Sequence, residues 1–123
     1  MLLQWLDVRL ARVGLLIAFI AITVLALLPQ AQVSISTHWD KLDHWLAFFT
    51  LSFLMNHAFP QRSFWRFVVI SLVLYGVGIE IAQSLTPDRD ADLRDVVADS
   101  IGILIYGAIL QCRLLLAKQQ LAD

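Results

Sequence analysis

The stretch EIAQSLTPDRDADLRDVVADSIG, Glu80 to Gly102, decides how this chain folds. An apolar run ends in Glu80 and Gln83 and breaks at Pro87. A loop crowded with Arg89, Asp90, Asp92, Arg94 and Asp95 follows. The next apolar run already contains Asp99. Carboxylates persist in hydrocarbon only where something pairs them or uses them. The stretch therefore reads as two membrane helices joined by a polar loop, with the working site at the junction.

Composition points the same way. The chain has 123 residues, 59% of them hydrophobic and 15% charged, with a mean hydropathy of +0.74. Soluble domains carry about 25% charged residues. A soluble chain this short could not bury so much apolar surface, whereas lipid can cover it. The net charge of −1 leaves no basic surface for nucleic acid. The lone Cys112 has no partner for an internal disulfide and reads as a small packing residue in the last apolar run. No internal repeat, low-complexity tract or soluble domain stands out. One transmembrane domain over residues 1–123 is expected.

Four runs fit spans: Val13 to Leu28, Trp45 to Phe59, Phe67 to Leu85 and Val96 to Leu116. A spanning helix takes roughly 20 apolar residues. The third and fourth meet that. The first gains length if Leu10 and Ala11 join it. The second is short and holds Asn56 and His57, so a span starting near Lys41 is expected. Prolines 29, 60 and 87 close the first three, as helix stops should. Arg9 and Arg12 ahead of the first run, with Gln30, Ala31 and Gln32 after it, also suit a secretory signal. Signal cores run about 7–15 residues, so a retained helix is the better reading. The fold expected is an all-α bundle of four spans.

Basic residues set the orientation. With the N-terminus inside, Arg9, Arg12, Arg62, Arg66, Arg113 and Lys118 lie on the inner side, and Lys41, Arg89 and Arg94 on the outer. The positive-inside bias puts both termini in the cytoplasm of an inner-membrane protein. Trp5, Trp39, Trp45 and Trp65 fall near span ends, where amphipathic rings prefer to sit. Glu80 lies five residues before Leu85, which at 1.5 Å per residue buries it by roughly 8 Å. His44, Glu80 and Asp99 can therefore share one layer below the outer surface. Gln83 sits three residues on from Glu80. Asp92, Asp95, Asp99, Gly102 and Tyr106 recur at spacings of three and four, so that side of the last helix faces protein. Gly102 lets another helix approach closely.

This pattern resembles the VanZ-like membrane proteins, a family whose founding member confers teicoplanin resistance. The motif parts are Asp40, Lys41 and His44 before one helix, Glu80 and Gln83 ending the next, then Pro87 and Arg89, then Asp92, Asp95 and Gly102. They cover roughly residues 40–110. The chain departs at Asp99, where the family shows asparagine. The first helix, about residues 10–28, carries no motif part. The resemblance implies an envelope role. Some members bear a phosphotransbutyrylase label, but this chain has no glycine-rich phosphate loop or nucleotide-binding unit, and no cofactor is expected.

Three functions suit these residues. In a binding module, Lys41, His44, Glu80, Gln83, Arg89, Asp92, Asp95 and Asp99 would hold a membrane-lipid headgroup, a lipophilic antibiotic or a lipid-linked envelope precursor, with Arg89 on phosphate. In an embedded enzyme, His44 would act as base, Glu80 would orient it and Arg89 would stabilise charge; Ser84 and Thr86 are nearby, but neither is marked as a nucleophile. In a metal site, His44, Glu80, Asp92, Asp95 and Asp99 supply ligands, but their spacing matches no metal motif, and no ligand set is assigned. Structural readings stand beside these: Arg89 clasping Asp92 or Asp95, Glu80 pairing with His44, and Lys41 balancing Asp40 and Asp43.

Overall fold

The computed structural model describes residues 7–29 and 40–122, apart from the Asp40 side chain. Trp5, Gln30, Ala31, Gln32, His38, Trp39 and the Asp40 side chain lie outside the described part. Helix α1 covers Val8–Leu27, α2 Asp40–Ala58, α3 Val69–Ser84 and α4 Leu93–Ala122, and no strand occurs among the described residues. A wider helical turn, Phe64–Val68, leads into α3. There the Val69 N–H reaches back five residues to the Phe64 carbonyl.

The helix starts are set by caps. Asp7 accepts the Arg9 N–H at 3.0 Å, and Asp92 accepts the Arg94 N–H at 2.9 Å. Each satisfies one of the donors that a helix start leaves without an intrahelical partner. Both caps lie outside the apolar runs, so α1 and α4 begin several residues before hydropathy alone would place them. Ser63 caps the turn before α3 through the Arg66 N–H.

Helix α2 occupies the middle, packed against α4 on one side and α1 on the other, and α3 closes on α4. The core is Phe48, Leu51, Met55 and Ala58 of α2 with Leu15, Phe64, Leu72, Ile103 and Tyr106. Gly102 is what brings α2 and α4 so close. A Cβ there would run into the Trp45 carbonyl oxygen and lie 3.0 Å from the Phe49 nitrogen. A methyl group at Gly102 would push the two backbones apart, typically costing about 1–3 kcal/mol. Gly107 likewise leaves room for the rings of Phe64 and Trp65, each 2.8 Å from an added Cβ.

Three helical segments are long and apolar enough to cross a membrane: Val8–Leu27, Phe64–Ser84 and Leu93–Ala122. Their outward faces are leucine-, isoleucine- and valine-rich, as with Leu16, Ile17, Ile20, Leu74, Ile81, Ile101 and Leu104. Such surfaces suit lipid and would be a liability in water. Helix α2 is 19 residues long but is not one of the three. The reason is its position. Being the most enclosed helix, it can carry Ser52, Asn56 and His57, which bond to the Phe48 carbonyl, the Tyr106 hydroxyl and the Phe53 carbonyl.

Helix α4 has 30 residues, about 45 Å at 1.5 Å each. That exceeds a hydrocarbon core of about 30 Å, and its last residues are exposed throughout. Cys112 is among them. It does not serve as a packing residue of this chain, because α4 has already run past its neighbours.

Candidate functional site

At one end of the bundle, the C-termini of α1 and α3 meet the N-termini of α2 and α4. Helix ends present carbonyls or N–H groups without intrahelical partners, so polar side chains gather there. They form two distinct groups.

The first lies between α2, α3 and α4. Lys41 donates to Asp92 at 2.9 Å and also to Asp95. His44 Nδ1 stands 2.8 Å from Asp99 Oδ1, and its Nε2 stands 3.4 Å from Asp95 Oδ2. Glu80 Oε2 accepts the Asp92 N–H at 2.9 Å. Asp92 is thus the hub: its side chain caps α4 and takes Lys41, while its backbone ties α4 to α3. The Arg94 N–H, followed by the Lys41 ammonium, holds the Asp92 carboxyl below its ordinary value.

Three of these acids are deeply buried, with relative exposures of 7% for Glu80, 4% for Asp95 and 1% for Asp99. Close packing at Gly102 seats His44 against Asp99, since His44 precedes Trp45 and Asp99 lies one turn before Gly102. Gly76 of α3 backs the same carboxylate: a Cβ there would stand 2.8 Å from Asp99 Oδ2. An asparagine oxygen at position 99 could accept the same bond from His44. The aspartate therefore changes the charge of the layer more than its bonding.

Among the described residues, the ion pairs and close contacts of the carboxylates Asp92, Asp95 and Asp99 run to one ammonium and one imidazole, with Glu80 beside them. Glu80 Oε1 is buried and has no hydrogen-bond partner among the described residues. A buried carboxylate oxygen without a donor is costly.

The second group straps α1 to the rest. Arg89 donates from Nε to the Leu28 carbonyl and from Nη2 to the Leu25 carbonyl, each at 2.8 Å. Gln83 donates to the Ala26 carbonyl at 3.0 Å. A cation on the last carbonyls of a helix satisfies acceptors that have lost their intrahelical partners and complements the helix dipole.

The structure therefore brings Lys41, His44, Glu80, Asp92, Asp95 and Asp99 together, and leaves Gln83 and Arg89 out. The 60° between positions three apart on a helix is enough to turn Gln83 toward α1 while Glu80 faces α4. Arg89 does not clasp Asp92 or Asp95; Lys41 does, reaching across from α2. Glu80 is not hydrogen-bonded to His44, whose Nδ1 partner is Asp99.

Beside Glu80, an open groove of about 320 Å³ runs between α3 and α4. Val77, Ile81, Ser84, Ala91, Leu93 and Val96 line it with Glu80. Of these, the sequence pointed to Ser84 as lying near the site but not to the apolar wall residues. Apolar residues beside a lipid-facing surface carry no mark that separates a groove wall from a bilayer contact.

A family model described as VanZ/LLP1 matches residues 8–115. The chain belongs to the VanZ/LLP1 family. The match takes in α1, which the motif comparison had left outside. With three helical segments able to cross a bilayer, this VanZ/LLP1 chain is a membrane protein. No curated protein and no solved structure matches it.

Proposed function

We propose that the protein crosses the inner membrane four times, with α2 as the remaining span and both termini in the cytoplasm. The excess of Arg and Lys at the opposite end of the bundle supports that orientation. Helix α2 spans by virtue of its neighbours: polar backbone and side chains are tolerated at membrane depth where protein covers them. The polar layer then faces the outside.

In this reading the layer and groove together bind an envelope amphiphile, head at the layer and tail in the groove. One observation carries it: Glu80, the buried acid with an oxygen lacking a donor, is also a wall of the apolar groove. Apolar walls with a few convergent polar groups are the usual form of a ligand site. The phenotype that follows is an envelope one, such as altered sensitivity to teicoplanin-type lipoglycopeptides.

Binding is better supported than catalysis. Arg89 is committed to α1 carbonyls, away from His44. Ser84 and Thr86 spend their hydroxyl protons on the Ile81 and Ala82 carbonyls, at 2.6 and 2.8 Å. Among the described residues neither hydroxyl is hydrogen-bonded to an imidazole or carboxylate that would activate it.

Val77→Trp fills the groove while leaving every side chain of the polar layer unchanged. Native mass spectrometry of the detergent-purified protein should show lipid adducts falling several-fold in that variant. Adducts equal to wild type at equal thermal stability would refute groove binding.

A further inference from the structure

We infer that His44, Glu80 and Asp95 form a binding site for one divalent transition-metal ion of the zinc type. A ligand atom from each lies within 4.8 Å of the others. The three come from α2, α3 and α4, so one ion would join all three helices at the outer end.

The spacing of the ligand atoms fits two groups sharing an ion. A charge-assisted N–H···O bond closes to about 2.7–2.9 Å. His44 Nε2 and Asp95 Oδ2 stand 3.4 Å apart. Two ligands about 2.1 Å from a tetrahedral ion stand about 3.4 Å apart. Lys41 holds the other Asp95 oxygen, leaving Oδ2 turned to the imidazole.

The next ring of contacts has the form that metal sites use. His44 Nδ1 is bonded to Asp99 Oδ1 at 2.8 Å. A carboxylate behind a ligating histidine fixes its tautomer, so that Nδ1 donates and Nε2 presents a lone pair. Glu80 Oε2 is fixed by the Asp92 N–H, and Oε1 has no protein donor among the described residues.

Glu80 supplies the independent sign of a ligand. Its side chain is more than nine-tenths buried, and Oε1 has no partner. A cation satisfies the oxygen directly and offsets the surplus of carboxylates. One imidazole with two carboxylates suits zinc-type ions, whereas calcium takes 6–8 oxygens. Three protein ligands also leave a position open, as in zinc sites that accept an exogenous ligand. Glu80 lines the groove, so an oxygen of a bound headgroup would be placed to fill it. That last step rests on the amphiphile reading; the ion site itself does not, and metal content and lipid adducts are separate readouts.

The test uses the full chain in detergent, stripped with chelator, equilibrated with Zn2+ alone, desalted and assayed by elemental mass spectrometry. The wild type should retain one Zn2+ per chain. Glu80→Gln and His44→Gln should each weaken binding at least about tenfold, since even outer-shell changes cost that much. Asp90→Asn, an exposed acid in the adjoining loop, should bind as wild type. Should the site variants fail to fold, wild type loaded with Co2+ still decides the matter, because a tetrahedral site gives an intense visible band. Wild type that retains no Zn2+, binds as well after Glu80→Gln, or gives no such Co2+ band would overturn the assignment.

Discussion

The two polar groups at one end of the bundle lie side by side and are built from the same kinds of residue, yet they are wired differently. In the strap, Arg89 and Gln83 end on backbone carbonyls of α1. In the acidic layer, side chains end mostly on other side chains, and acids outnumber cations. Both contain a buried oxygen without a partner, Gln83 Oε1 and Glu80 Oε1. The amide is neutral, and leaving it unmet costs about 1–3 kcal/mol. The carboxyl group sits among other carboxylates, and ionised without a partner it would cost more than the amide does. On the proposed reading the strap serves as a joint and the layer receives a ligand.

The largest expected effect that would break this contrast is in the strap. Arg89→Met removes two charge-assisted bonds and should cost about 2–4 kcal/mol of stability, read as a lower melting temperature in detergent. A change within error would mean that α1 is held by its apolar face alone. The smallest is Gln83→Met. It loses one bond worth about 1 kcal/mol and also removes the buried orphan oxygen, so the net change should stay within about 1 kcal/mol. A larger loss in a thermal melt would show that the amide oxygen has a ligand, and would move Gln83 into the receiving site.

The acidic layer was largely legible in the sequence. A fixed rise per residue sets the depth of Glu80 and Asp99, and spacings of three and four put Asp95, Asp99, Gly102 and Tyr106 on one buried face. The prolines placed the helix breaks. The strap was not legible, because its acceptors are backbone carbonyls, which every residue has and which leave no mark in the sequence. Arg89 therefore read as a phosphate ligand. Partner choice within the layer was equally hidden. Whether Lys41 meets Asp92 or a nearer acid depends on how closely α2 approaches α4, and the Gly102 contact with the Trp45 carbonyl sets that distance. Gly76 behind Asp99 is a contact between distant parts of the chain that no local pattern announces.

The most direct test of the separation between joint and site is native mass spectrometry with a thermal melt on three proteins: wild type, Arg89→Met and Glu80→Gln. Arg89→Met should melt lower yet carry the same bound ion and lipid as wild type, while Glu80→Gln should lose the bound species and keep most of its stability. If bound species instead fall in step with stability in both variants, or survive in both, the acidic layer is only a second joint and the account is wrong.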